Sequence, residues 1–268
     1  MAMKTGTTTG GDHRVTLLRD SFLDMPQLWM EVFIAGDRYE EAAFAEMFIR
    51  SKCTKAVTPE KADLVVFTGG EDVNPILYNE VRHHSTLFDS KRDEEDIKLY
   101  EICLNEGIPM LGVCRGAQFL HVMMGGKLYQ DVDNHNGDHP MWDTKNKILI
   151  QKISSVHHQM VIPQDGMEIL GASGKAKHRW LNDKVFDNES KMDVEAFFYR
   201  DICALGVQGH PEYKGYNHFM QWTLQQIEDY IGKNPDTEVR DRVRRLKEEF
   251  LLERNAKMEE DLKLKEMN

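Results

Sequence analysis

Residues 108–126 read "IPMLGVCRGAQFLHVMMGG". An apolar run from Ile108 to Val113 stops at Cys114, helical spacing follows from Arg115 to about Met124, and Gly125-Gly126 closes the segment. A buried strand that turns sharply into a helix is the building unit of an α/β fold. The same alternation recurs on both sides. "WMEVFIAG" reads as a strand, "RYEEAAFAEMFIRSK" as an amphipathic helix and "DLVVFTGG" as a second strand, with a polar loop through "HHSTLFDSK". "DEEDIKLYEICLNEG" is helical, with Ile97, Tyr100, Ile102 and Cys103 toward one side and Gly107 as its stop. "ILIQKIS" and "DICALGVQ" are later strands, and "NHFMQWTLQQIEDYIG" is a late helix with Asn217 as its cap. Strands alternating with helices imply a largely parallel sheet.

Composition narrows the function. The chain has 268 residues and a formal net charge of −11, which argues against a nucleic-acid binder, whose affinity rests on neutralising phosphates. No apolar run approaches the roughly 18 residues of a membrane span. The four cysteines, Cys53, Cys103, Cys114 and Cys203, form no close pair, so neither a disulfide framework nor a zinc site is expected and a reducing cytoplasm is. Cys103 and Cys203 read as inert packing, and Cys53, after "RSK", as the one nearer the surface.

Three units are expected: a flexible leader at 1–14, an α/β domain at 15–232 and a charged helical extension at 233–268. In the extension Val239, Val243, Leu246 and Phe250 recur at helical spacing. That stripe needs cover from the domain, a second copy in a homo-oligomer, or a partner.

Gly-x-Cys-x-Gly between strand and helix has the form of a nucleophile elbow. The nucleophile sits strained at the tip, and side chains at Gly112 and Gly116 would collide with the turn. The helix N-terminus, helped by Arg115, favours thiolate over thiol at Cys114. In "GVQGHPEY", His210 and Glu212 are two residues apart, so an extended chain turns both to one side, where the carboxylate orients the imidazole as a general base. In "VVFTGGEDVNP", Gly69 and Gly70 let backbone N–H groups approach a substrate oxygen, joined by the Arg115 N–H as an oxyanion hole.

With these segments in hand, the sequence resembles the class I glutamine amidotransferases, and within them the peptidase C26-like branch of γ-glutamyl-γ-aminobutyrate hydrolases. The matching text is "FTGGEDVNPILYNE", "RDEEDIKLYE", "IPMLGVCRGAQFLHVMMGGKLYQDV", "SSVHHQMV" and "GVQGHPEY", in the family's order over roughly 64–213. The resemblance implies a three-layer, flavodoxin-like α/β fold with a mostly parallel central sheet. It implies a triad of Cys114, His210 and Glu212, and oxyanion donors at Gly70 and Arg115. It also implies a glutamyl pocket drawing on Gly69, Gln118, Val156, His157 and His158. The implied reaction is cleavage of a γ-glutamyl amide through a thioester, with ammonia passed to a synthetase or ligase. The alternative is a free-standing hydrolase of small γ-glutamyl amides of GABA or polyamine type, and a third, weaker reading is an inactive scaffold. Many members carry an aromatic where this chain has Gly209, which reads as open space beside the base.

No cofactor and no metal are expected. "HNGDH" and "RHHS" lack H-E-x-x-H spacing or cysteine partners. "DVDNHNGDHPMW" fails as a calcium loop, since Gly137 comes one place late and Trp142 stands where a bidentate Glu belongs. All three read as solvated loops.

Overall fold

Two four-residue runs, "LVVF" and "MLGV", are buried along their whole length, as strands covered on both faces must be. They are the third and fourth strands of the chain order, which runs β1 (Glu31–Ala35), α1 (Arg38–Ile49), β2 (Thr54–Lys55), β3 (Leu64–Phe67), α2 (Ser90–Glu106), β4 (Met110–Val113) and α3 (Arg115–Met123). Then come β5 (Leu128–Tyr129), β6 (Asp131–Val132), β7 (His139–Asp143), β8 (Ile148–Ile153), β9 (Met160–Val161) and β10 (Met167–Ser173). The order closes with β11 (His178–Leu181), β12 (Lys184–Asp187), β13 (Asp193–Tyr199), β14 (Ala204–Val207) and α4 (Asn217–Tyr230). This computed structural model describes residues 25–181, 184–187 and 192–232. The expected leader at 1–14 and extension at 233–268 lie outside the described residues.

The central sheet runs β2-β1-β3-β4-β14-β13-β10-β7-β8. Its first five strands are parallel neighbours, in the flavodoxin-like order 2-1-3-4-5. The fold is therefore a flavodoxin-like α/β sheet with helices packed against it, extended by antiparallel β13, β10, β7 and β8. The register pairs Phe67 with Gly112 and Val113 with Val207, so β3, β4 and β14 end together. Ligands of open parallel sheets gather at this edge.

Helix boundaries follow local chemistry. Asp37 caps α1 in a capping box with Glu40. Asp89 caps α2, and Gly107, in the left-handed region at φ 64°, ends it. Asn217 is not a cap. The helix starts at Asn217 itself, after Tyr216, with no side-chain cap bond.

Cys53 is not at the surface either, since it is packed into the core with Phe48 and Met30. Nor are the histidine-rich stretches all solvated. His83, His135 and His139 are buried. No described helix is long and apolar enough to cross a membrane.

Candidate active site

Cys114 is the single residue between β4 and α3. Its backbone stands at φ 52°, ψ −110°, a conformation that costs a non-glycine residue about 1–3 kcal/mol. The flanking glycines give this turn its room. A Cβ on Gly112 would lie 2.5 Å from the Gly116 carbonyl, and one on Gly116 would lie 2.0 Å from the Phe67 carbonyl oxygen at the end of β3. Those neighbours are main chain and cannot swing aside. Gly116→Ala is expected to destabilise the protein toward the top of the ~1–3 kcal/mol range for overpacking. Urea unfolding checks it: an unchanged midpoint would mean that β3 and α3 separate freely.

His210 lies three residues past the end of β14. Its Nδ1–H donates to Glu212 Oε1 at 2.7 Å, across a turn at Pro211 rather than along an extended chain. Cys114 hydrogen-bonds the ring from its other side, and Tyr213 stacks on it at 4.4 Å between centroids. Ser154 fixes the main chain, accepting from the His210 N–H at 2.6 Å and donating to its carbonyl at 3.3 Å. Desolvation pulls the imidazole pKa down. Hydrogen bonds and charge from Cys114 and Glu212 outweigh it and push the ring up to about 10. At neutral pH His210 therefore holds a proton that it can hand to a leaving group.

A pocket of about 390 Å³ opens beside Cys114, lined also by Gly70, Arg115, Gln118, Val156, His157 and His158. Gly70 has φ 132°, which keeps it glycine. Gly69 stands against the pair: a Cβ there would lie 2.9 Å from His210 Cε1 and 3.9 Å from Cys114 Cβ. Gln118 is buried, and its amide donates to the Gln159 carbonyl at 3.1 Å, bracing the opposite wall. The two histidines differ. His157 is buried, with Nδ1 on the Gln159 carbonyl at 3.0 Å. His158 is half-exposed and bridges Asp72 at 3.2 Å and Asp131 at 3.1 Å. Its hydrogen bond to Asp72 raises its pKa.

Two expectations need correction. The Arg115 guanidinium does not serve the sulfur: it is buried between Asp93, at 2.6 Å, and Asp96 on α2, which neutralise it. Nor does Gly209 leave space beside His210. A Cβ there would meet the Ser154 carbonyl at 2.7 Å and the Phe219 ring at 2.9 Å, so Phe219 already fills the volume.

The Peptidase C26 profile matches residues 50–212, a span that contains the whole arrangement. The chain belongs to the Peptidase C26 family. It is thus a hydrolase of C–N amide bonds, of the class I glutamine amidotransferase and γ-glutamyl hydrolase kind. Three relatives, each 31% identical, frame this Peptidase C26 chain. A putative glutamine amidotransferase-like protein of Lactococcus lactis aligns over 170 residues, 56% of this chain and 66% of that protein. The γ-glutamyl-CDP-amidate hydrolase of Campylobacter jejuni aligns over 106 residues, 40% of this chain and 47% of that one. The carbamoyl phosphate synthase small chain of Helicobacter pylori aligns over 120 residues, 44% of this chain and 28% of its own length. The chain therefore spans less than two thirds of the length of each.

Sequence reading did not find Ser154, Asp93 or Asp96. Asp93 and Asp96 were legible in principle: acidic residues three apart in "DEED" share a helix face, the face that carries buried Tyr100 and Cys103. Ser154 left no signal, because its role is a hydrogen bond to main chain 56 residues away.

Proposed function

We propose that the chain cleaves the γ-amide of glutamine or a related γ-glutamyl compound, with Cys114 as nucleophile, His210 as acid and base, and Glu212 as the carboxylate that orients it. The observation that carries this reading is Cys114 itself, on a strained turn, hydrogen-bonded to a Glu212-held imidazole and facing a pocket. The sulfur attacks the γ-carbonyl carbon, and the Gly70 and Arg115 N–H groups receive the developing oxyanion. The C–N bond breaks as His210 gives its proton to the departing amine. Water, deprotonated by the same ring, hydrolyses the thioester to glutamate and restores the thiol. Gly69, Gln118, Val156, His157 and His158 shape the glutamyl pocket.

In this reading glutamine yields ammonia for a separate synthetase or ligase. Residues 15–232 form the catalytic unit, and the stripe at 233–268 docks the partner or a second copy. The four cysteines are free and buried, which suits a reducing cytoplasm. A specific feature favours the second reading, a free-standing hydrolase. Leu87 and Val156, 65% and 58% exposed, stand on the pocket's edge and offer apolar contact that departing ammonia does not need.

A panel of glutamine and γ-glutamyl amides of GABA and polyamines, assayed with and without candidate ligases, separates the two. Glutamine turnover that rises on adding a ligase supports the first. Turnover of an aliphatic amide that exceeds glutamine's by about tenfold or more, worth ~1.4 kcal/mol of added contact, supports the second. Hydrolysis of none of them under either condition overturns both.

A further inference from the structure

Next to the pocket, where His157 forms part of the lining, three histidines close on one carboxylate. His135 and His139 come from the connection into β7 and its start, His157 from the connection before β9, and Glu195 from the middle of β13. One ligand atom from each of His135, His139 and Glu195 lies within 4.8 Å of the others. His139 Nε2 is 3.5 Å and His135 Nδ1 3.8 Å from Glu195 Oε1, while His157 Nε2 is 3.8 Å from Glu195 Oε2. All four side chains are at most 1% exposed.

The hydrogen bonds around the cluster fix which ring nitrogen is free. His139 Nδ1 lies 3.1 Å from the Pro140 carbonyl and His157 Nδ1 3.0 Å from the Gln159 carbonyl. A carbonyl only accepts, so each Nδ1 carries the hydrogen and each Nε2 is a lone pair. His135 Nε2 faces Asp193 Oδ2 at 3.3 Å. Asp193 is already held as an anion by Arg179 and the Ala176 N–H, which leaves His135 Nδ1 as the atom turned toward Glu195. His139 Nε2 and His157 Nε2 are thus lone pairs aimed at a carboxylate, and His135 Nδ1 stands 3.4 Å from Ser155 Oγ and 3.8 Å from Glu195 Oε1, while His135 Nε2, His139 Nε2, His157 Nε2 and Glu195 Oε2 lack any hydrogen-bond partner. Acceptors facing acceptors in a dry interior are unfavourable. The Ser173 hydroxyl, donating to Glu195 Oε1 at 2.7 Å, relieves one oxygen only. A proton on Glu195 would satisfy one contact of three.

The geometry points to a binding site for a divalent d-block cation of the zinc type, coordinated by His135, His139 and Glu195, with His157 against the second carboxylate oxygen. A tetrahedral ion with bonds of about 2.0–2.1 Å sets its donor atoms roughly 3.3–3.4 Å apart, so the 3.5 and 3.8 Å from Glu195 Oε1 to His139 and His135, in a group whose atoms lie within 4.8 Å of one another, must contract around the ion. The surroundings match what such sites carry around them, since His139 and His157 are anchored through Nδ1 to carbonyls and His135 Nε2 faces the Asp193 carboxylate at 3.3 Å. Three positions are taken by protein, and a water completes the tetrahedron. The ion would tie the β7 entry to β13, alongside the 154–157 segment. Ser154 in that segment holds the His210 main chain, so the ion would brace the candidate active site. The regular-spacing test that set "HNGDH" aside is blind to this cluster, because Glu195 lies 56 residues beyond His139.

The test uses the full chain purified without chelators, stripped, and then titrated with Co²⁺. The expected result is about one ion per chain, with the intense visible bands of four-coordinate Co²⁺ displaced by Zn²⁺. His139→Gln should lose those bands while His178→Gln, an exposed control, keeps them. Should His139→Gln fail to fold, wild-type protein decides through X-ray absorption at the zinc edge and thermal unfolding. A shell of nitrogen and oxygen alone, with a midpoint that rises with Zn²⁺ and falls back with chelator, supports the site. No four-coordinate bands, bands that survive in His139→Gln, or sulfur in the zinc shell would overturn it.

Discussion

Cys114→Ala is expected to lower kcat/KM for a γ-glutamyl amide on the order of 10⁴-fold or more, because no other group on the pocket wall can form the acyl intermediate. The fold should persist. Alanine keeps the strained backbone at φ 52°, ψ −110° and removes only a sulfur. Cys114→Gly supplies the sharper comparison. It is equally without a nucleophile, yet glycine adopts this conformation freely, so part of the ~1–3 kcal/mol of local strain should return as stability. The two variants should be alike in activity and differ in urea midpoint, with glycine higher. Retained hydrolysis in either would remove Cys114 from the chemistry. A glycine variant less stable than the alanine one would show that the turn is not strained in the way its backbone angles imply.

Sequence made the parallel half of the sheet legible, because strands buried on both faces read as unbroken apolar runs. "LVVF", "MLGV" and "ALGV" needed no context. The antiparallel half was harder. β13, "DVEAFFY", is buried throughout but carries Asp193 and Glu195, and charge in a strand argues locally against burial. The partners of Asp193, Arg179 and His135, lie 14 and 58 positions away and were invisible as partners. β7, "HPMWD", is buried at alternate positions, yet it begins with His-Pro and ends on Asp143, whose carboxylate accepts from the Lys145 and Asn146 N–H groups and, across the fold, from Trp222 of α4 at 2.7 Å. At the candidate site the same division holds. Cys114, His210 and Glu212 announced themselves through neighbours within two residues, Gly112 and Gly116 for the turn and Pro211 for the pair. What holds them in place, Ser154 for His210 and Asp93 with Asp96 for Arg115, depends on contacts across the sheet that no local pattern records.

Arg115→Met should destabilise the protein by about 3–5 kcal/mol, the cost of leaving a buried charge unpaired. The guanidinium is buried between Asp93 and Asp96. Asp96 keeps a second cation, since Arg92 Nε reaches both its oxygens at 3.2 and 3.3 Å. Asp93 keeps only the Asn74 N–H, at 3.1 Å, and is the carboxylate left stranded. Desolvation already raises its pKa above 3.8 against the pull of Arg115, and without the arginine it must rise further. The sign of the pH effect follows. With the folded pKa above the unfolded one, the folded state binds more protons in the window between them, so stability falls as pH rises through that window. The variant's deficit should therefore be largest near neutral pH and shrink as pH is lowered toward 3.8, and urea unfolding of both proteins at pH 7 and pH 5 reads it directly. Asp93→Asn in the Arg115→Met background removes the stranded charge and should recover much of the loss at pH 7. The main-chain N–H of residue 115, the atom proposed to face the oxyanion, is untouched by either change. A deficit that is the same at both pH values, or that Asp93→Asn fails to relieve, would mean that Arg115 stabilises the elbow by packing over Phe119 rather than by its charge.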